Sequence, residues 1–282
     1  MPQTTSKSRW QPKQKPNGKL SSSQASSPFS PLKQPLRRAH MLEPAVAGFK
    51  AMSIFKTTLA ATGWTSLGAT AGYLLWTRKT KIVDVPPTDY IFNSTLYARY
   101  NPNNAPVTQD LAVRRVPLTQ IKPELLEKEE KLTESFCAGV WSGLGFAYQR
   151  RFLEKKYRSD PVTADHLWDT KDLEASTYEK GTKITDHFEV VSKTPNSIIV
   201  RCGDSPRVTD VRENDGLFEM TAEIKKEEGV AEFGLKSVFY NGLAQPDQTG
   251  KPGSGPMSNW IQWLHQQYDK VLMETALKNV TK

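Results

Sequence analysis

The sequence predicts an α+β fold: an antiparallel sheet curled around one long C-terminal helix, preceded by a disordered basic tail and one membrane helix. Three observations carry this. Four runs within residues 186–240 alternate apolar and polar residues at the period of a β-strand. The closing segment "MSNWIQWLHQQYDKVLMETALKNV" repeats its apolar residues at the helical period. Residues 57–77 carry no charge, and as a helix they would span about 31 Å, close to the ~30 Å hydrocarbon core of a bilayer.

The tail comes first. No Asp or Glu precedes Glu43, while Lys7, Arg9, Lys13, Lys15, Lys19, Lys33, Arg37 and Arg38 all fall before it. Those eight charges equal the whole net charge of +8, because 30 basic residues balance 30 acidic ones from Glu43 onward. Residues 1–43 are rich in Ser, Pro, Gln and Lys and bury too little apolar surface to fold. An acid-free start rich in Lys, Arg and Ser also fits a mitochondrial transit peptide. Charge confined to a tail, with no zinc-finger, RNP or basic-aromatic pattern behind it, argues against a nucleic-acid partner. Cys137 and Cys202 are the only cysteines, too few and too far apart for a disulfide framework.

Residues 44–80 are expected to form a helix that contains the span 57–77. Lys56 and Arg78-Lys79 bound it, and Tyr73 and Trp76 suit an interfacial aromatic belt. Gly68 and Gly72 make a GxxxG step through which a partner helix can approach closely. Thr, Ala and Gly outnumber Leu and Ile in this stretch, so a soluble helix rich in Ala and Gly is the alternative. Residues 81–109 read as a linker, with Pro86-Pro87 and then "NPNNAP". The aromatics Tyr90, Phe92, Tyr97 and Tyr100 should hold that linker against the next domain.

The domain proper is expected over residues 110–282. "LAVRRVPL" is a short strand ended by Pro117. Helices follow, and the longer places Phe136, Val140, Leu144, Tyr148 and Phe152 on one buried face. Gly139, Gly143 and Gly145 imply close packing of that helix. Among the strands, "DHFEVVSK" and "SIIVRCG" flank a turn at Thr194-Pro195-Asn196, and "GLFEMTAEIK" and "AEFGLKSVFY" alternate clearly. Glu219, Glu223 and Glu232 belong to the polar face, where Lys225, Lys226 or Lys236 can pair with them at the surface. The apolar face needs a cover, and the final helix supplies one through Trp260, Ile261, Leu264, Tyr268, Val271, Leu272 and Thr275.

Strand, helices, antiparallel strands and a terminal helix, in that order over residues 111–280, resemble the helix-grip fold of START and pathogenesis-related plant proteins. "YEKGTKITDHFEVVSKTPNSIIVRCGD", "DGLFEMTAEI", "FGLKSVFYN" and "WLHQQYDKVLMETALKNV" are similar to the pattern of a bacterial helix-grip-like domain family. The whole chain resembles a group of fungal single-pass membrane proteins that share a basic N-terminus and the stretch "YARYNPNNAPVTQDLAVRRVPLTQI". These resemblances imply an apolar cavity between sheet and final helix. They also imply a membrane location, the mitochondrial inner membrane, with the endoplasmic reticulum as the alternative. They imply no reaction. Phe188, Val200, Cys202, Met220, Phe233, Phe239, Trp260, Leu264 and Tyr268 are the expected cavity lining.

No catalytic motif stands out. Cys202 shares a strand face with Ile198 and Val200, so it should point inward as an inert core thiol, away from Arg201. His40, His166, His187 and His265 are scattered, without HExxH or Cys/His spacing, so neither a metal site nor a cofactor is expected. His265, one step past Leu264, and Asp204, at the start of a long loop, are the candidate acid/base groups. The leading expectation is a membrane-anchored module that binds an apolar small molecule or lipid. The alternatives are a mitochondrial membrane assembly or interaction factor without a ligand, and a cyclase- or isomerase-like enzyme working in the cavity.

Overall fold

Alternating strands and striped helices assemble into a seven-stranded antiparallel sheet, helices on one face and an extended segment on the other. The computed structural model describes residues 68–245 and 255–282 of the 282-residue chain. The basic tail 1–43, most of the helix 44–80 and residues 57–67 of the expected span lie outside the described residues. Among the described residues no helix is long and apolar enough to cross a membrane.

Helix α1 (described over 68–77) docks beside the C-terminal helix α6 (Asn259–Ala276). The Tyr73 hydroxyl donates to the Gln267 carbonyl at 3.2 Å and Oε1 at 3.1 Å, and Thr80 Oγ1 donates to Glu274 Oε1 at 2.6 Å. Among the described residues, a Cβ added at Gly68 or Gly72 would meet nothing within 4 Å.

The expected linker is ordered and closely packed. It carries β1 (Lys81–Val83), a 3-10 turn (Tyr90–Asn93) and the short helix α2 (Thr95–Tyr100). Asp89 caps the turn by accepting from the Ile91 amide at 3.0 Å, and Ser94 caps α2 by accepting from Tyr97 at 3.1 Å. Ile91, Tyr97 and Tyr100 pack on Val191, Ile199, Leu217, Val238 and Tyr240, which are the outward residues of the sheet.

Strand β2 (Thr108–Pro117) pairs with β1 on one side and with β7 (Val230–Tyr240) on the other. Helices α3 (Glu129–Ser142), α4 (Leu144–Tyr157) and α5 (Thr170–Ala175) intervene before β3 (Lys183–Ile184), β4 (Phe188–Thr194), β5 (Ser197–Gly203) and β6 (Asp215–Lys225). The sheet order is β1-β2-β7-β6-β5-β4-β3. Ser197 opposite Thr194 closes the β4–β5 hairpin around Pro195-Asn196. Phe218, Met220 and Ala222 of β6, with Ala231, Phe233 and Leu235 of β7, face the helices and are buried.

Three expectations are corrected. The run read as one helix is two: Gly143 adopts extended angles (φ −68°, ψ 166°) between α3 and α4. The break turns the second half of the stripe outward, so Phe136 and Val140 are buried while Leu144 and Tyr148 are 77% and 87% exposed and Phe152 is also exposed. In α6 the buried residues are Asp269, Leu272, Met273, Thr275 and Ala276, whereas Trp260, Ile261 and Leu264 in its first turns are exposed. Glu219 is not at the surface. The segment covering the outer face buries it, with Lys236 Nζ at 2.8 Å and the hydroxyls of Tyr90 and Ser197 as donors. Glu232 does lie partly exposed, paired with Lys225 and Arg115.

Candidate functional site

Between the inner face of the sheet and helices α3, α4 and α6, most of the interior is solid, but one end holds a pocket of about 440 Å³. Trp141 from the last turn of α3 is its centrepiece. The indole meets Phe146 edge-on at 5.0 Å and Phe218 at 6.1 Å, and lies tilted on Phe188 at 4.7 Å. Gly145 lets α4 approach α6 closely enough to shape this wall: its amide donates to Thr275 Oγ1 at 3.2 Å, and a Cβ there would come within 2.6 Å of that oxygen. Phe239, Cys202, Leu272, Pro256 and Met257 complete the apolar lining.

Of the residues named from sequence, Phe188, Cys202, Phe239, Tyr268 and His265 line the pocket. Val200, Met220 and Phe233 lie in the closed core, with Phe233 against Phe136 at 4.9 Å. Trp260 and Leu264 stand outside it on the exposed start of α6, where Trp260 stacks on Trp263 at 4.9 Å. Asp204 also lies outside. Its amide donates to the Asn214 carbonyl at 3.0 Å and its own carbonyl accepts from Arg212 at 2.9 Å, so its backbone frames the 204–214 loop. His265 and Asp204 do not form one acid/base pair.

Cys202 is buried, and burial, with Asp215 nearby, pushes its thiol up to about 12. Arg201 points to the other face and lies 3.8 Å from the centroid of the Tyr100 ring. Tyr268 donates to Gln149 Oε1 at 3.0 Å, and burial raises its phenol. His187 also lines the pocket, and its burial lowers the imidazole below its ordinary value.

The polar wall contains two residues that sequence reasoning missed. His265 Nδ1 lies 3.2 Å from Asp110 Oδ2 and 3.4 Å from Asp269 Oδ2. Asp110 sits near the start of β2 with the inward parity of Ala112 and Val116, and β2 packs against α6. Asp269 is one helical turn after His265 on the buried face of α6. It is 0% exposed, and neither of its oxygens has a hydrogen-bond donor among the described residues; Asp110 Oδ1 has none either. Burial, followed by the adjacent Asp110 carboxylate, pushes the Asp269 carboxyl far above the usual range. The His265 ring meets Phe239 edge-on at 5.0 Å. The signals in the sequence were parity and period: Asp110 falls on the inward side of a strand, and Asp269 falls among Leu272, Met273 and Ala276 on a helix.

Compared with protein-family models, curated proteins and solved structures, the chain finds no match.

Proposed function

We propose that the chain is a membrane-tethered, helix-grip-like binding module that holds an apolar small molecule or a lipid. The pocket is the observation that carries this reading. Its volume of about 440 Å³ lies within the usual range of small-molecule sites, roughly 300–1,000 Å³, and such sites pair a mostly apolar lining with a few convergent polar groups. Here the apolar groups are chiefly aromatic, and the polar ones are His265, Tyr268 and Asp269 on α6 together with Gln149, His187, Asn214 and Asp215 from other walls. The ligand chemistry that fits is an apolar body with one oxygen-bearing end. The strand order supports the helix-grip assignment. The first long strand lies beside the last, helices fill the connection between them, and α6 follows β7 across the inner face.

The tether rests on the uncharged run 57–77 and on where it meets the fold. Tyr73 joins α1 to Gln267, on the same helix as the exposed Trp260, Ile261, Trp263 and Leu264. Leu74, Leu75 and Trp76 of α1 are exposed too, and the basic Arg78 and Lys79 follow. Trp and Leu beside Arg and Lys suit a bilayer interface with anionic headgroups. The mitochondrial inner membrane is the proposed compartment, with the endoplasmic reticulum as the alternative.

The test uses the full chain extracted into nanodiscs, with native mass spectrometry and organic extraction of the purified protein. One apolar molecule per chain is expected, and Phe218→Trp should reduce its occupancy by filling the pocket. An empty pocket in every preparation would overturn the binding reading. It would favour a partner-binding role, for which the exposed stripe Leu144, Tyr148 and Phe152 and the Gly68/Gly72 step are the available surfaces. Release of the full chain by alkaline carbonate would sink the tether.

A further inference from the structure

Asp110, His265 and Asp269 form a cluster whose charge the fold leaves uncompensated. Asp269 is fully buried with both oxygens bare, and Asp110 is 2% exposed with Oδ1 bare. Buried carboxylates are ordinarily paired with a cation or bound to a metal. Among the described residues no lysine or arginine pairs with either one, and His265 is the group between them. The same helix and strand show that the fold can supply a partner. Further along α6 than Asp269, Glu274 receives Arg114 of β2 at 3.2 Å and the Thr80 hydroxyl at 2.6 Å. Glu274 is compensated and Asp269 is not.

The distances have a meaning of their own. Nitrogen and oxygen atoms bound to one first-row divalent ion at about 2.0–2.2 Å lie roughly 2.9–3.5 Å from one another. His265 Nδ1 stands 3.2 Å from Asp110 Oδ2 and 3.4 Å from Asp269 Oδ2, and one donor atom of each residue falls within 4.8 Å of the others. A single proton shared between the carboxylates would satisfy one oxygen on each and leave the rest bare. A divalent ion held by all three residues neutralises both charges.

We propose that Asp110, His265 and Asp269 bind one first-row divalent cation of the Mn²⁺ to Zn²⁺ series through His265 Nδ1 and one oxygen of each carboxylate. One imidazole with two carboxylates is a mixed nitrogen and oxygen set that suits these ions, and it lacks the thiolates that select softer ones. Three protein ligands leave coordination positions open, as in catalytic rather than structural sites. His265 and Asp269 line the pocket while Asp110 closes the cluster from behind, so the open positions face the apolar chamber. The ion is then the anchor for an oxygen atom of whatever the pocket holds. That last step rests on the binding reading above, whereas the cation site does not. The proposed site departs from the expectation of no metal, since Asp110 and His265 are 155 residues apart and no spacing rule connects them.

The experiment uses the full, untagged chain in detergent, stripped with chelator and delipidated, then titrated with Zn²⁺, Mn²⁺ and Co²⁺ by calorimetry. One ion per chain is expected, with visible d–d absorption for bound Co²⁺. Asp269→Asn, which preserves shape and removes a buried charge, and His265→Gln should each weaken Zn²⁺ binding at least a hundredfold while circular dichroism stays unchanged. Absence of a one-to-one isotherm for all three ions overturns the proposal. So does wild-type affinity in the folded Asp269→Asn and His265→Gln variants, because the ion would then sit elsewhere. Since no ligand is present in the titration, a failed ligand search leaves this result intact, and a failed titration leaves the ligand search to be read separately.

Discussion

Arg201 has a buried guanidinium with a full set of partners. Nε and one terminal nitrogen hold Asp215 at 2.9 and 2.5 Å, the terminal nitrogens donate to the Thr209 and Asp210 carbonyls at 3.1 and 2.6 Å, and its face lies on Tyr100. Removing one partner of such a pair strands the other charge, a loss of about 3–5 kcal/mol. Lysine cannot replace it, because a point charge lacks the planar fork that grips both carboxylate oxygens. Arg115 is the contrast: it bridges Glu228 and Glu232 with its side chain 53% exposed, and water screens surface pairs of that kind so that they add little. Urea unfolding should therefore show Arg201→Ala, and nearly as much Arg201→Lys, far less stable than Arg115→Ala. Equal losses at the two positions would contradict the pairing described here.

At the level of elements, the joint between α3, α4 and α6 is made by glycines. A Cβ at Gly139 would sit 2.4 Å from the Ala276 carbonyl oxygen and 3.0 Å from its carbon, both backbone atoms that cannot turn aside. Gly→Ala inside a helix ordinarily gains about 1 kcal/mol. Here the overlap forces α3 and α6 apart, and overpacking of this sort typically costs about 1–3 kcal/mol. The clash wins, so Gly139→Ala should lower the unfolding midpoint; a raised midpoint would show that the helices have slack.

These glycines also mark how far the sequence could be read. Alternation placed β5, β6 and β7, and it put Cys202 on the inward face and Arg201 on the outward one, because period two is a local property of the chain. Glycine lowered the helical expectation around 139–145, yet nothing local distinguished a continuous helix from one broken at Gly143. That choice is made by Thr275, 130 residues away, which receives the Gly145 amide. Glu219 failed for a similar reason. Its strand position is polar by pattern, and only the arrival of Tyr90 and Lys236 makes it interior. Of the polar wall, His265 was visible beside an apolar stripe, but Asp110 and Asp269 acquire their chemistry from each other across the fold.

At the scale of the molecule, the buried His166 and the half-buried His187 set an acid limit on stability. Burial lowers His166 and His187 below the ordinary 6.5, although Asp165 and Asp186 near the first and Asp186 and Asp204 near the second pull the other way. The unfolded chain then binds protons more readily than the folded one, so this contribution is intact above about 6.5 and is lost as pH falls below it. The melting temperature should drop between pH 7 and pH 5.5, and the double variant His166→Gln/His187→Gln should show a shallower drop. An unchanged slope would mean that other groups govern the acid limit.

Strand β2 has one further consequence, in time rather than in space. It pairs along its whole length with β7, Thr108 opposite Phe239 and Pro117 opposite Val230, so its partner is translated roughly 110–130 residues later. At about 5–20 residues per second, that is a wait on the order of ten seconds for a strand with one edge unfilled. The nascent chain must be shielded during that interval, and a prematurely terminated product never finds the missing partner. Because Asp110 is among the first residues of the domain to be made and His265 and Asp269 are among the last, a chain broken between them carries Asp110 alone of the three.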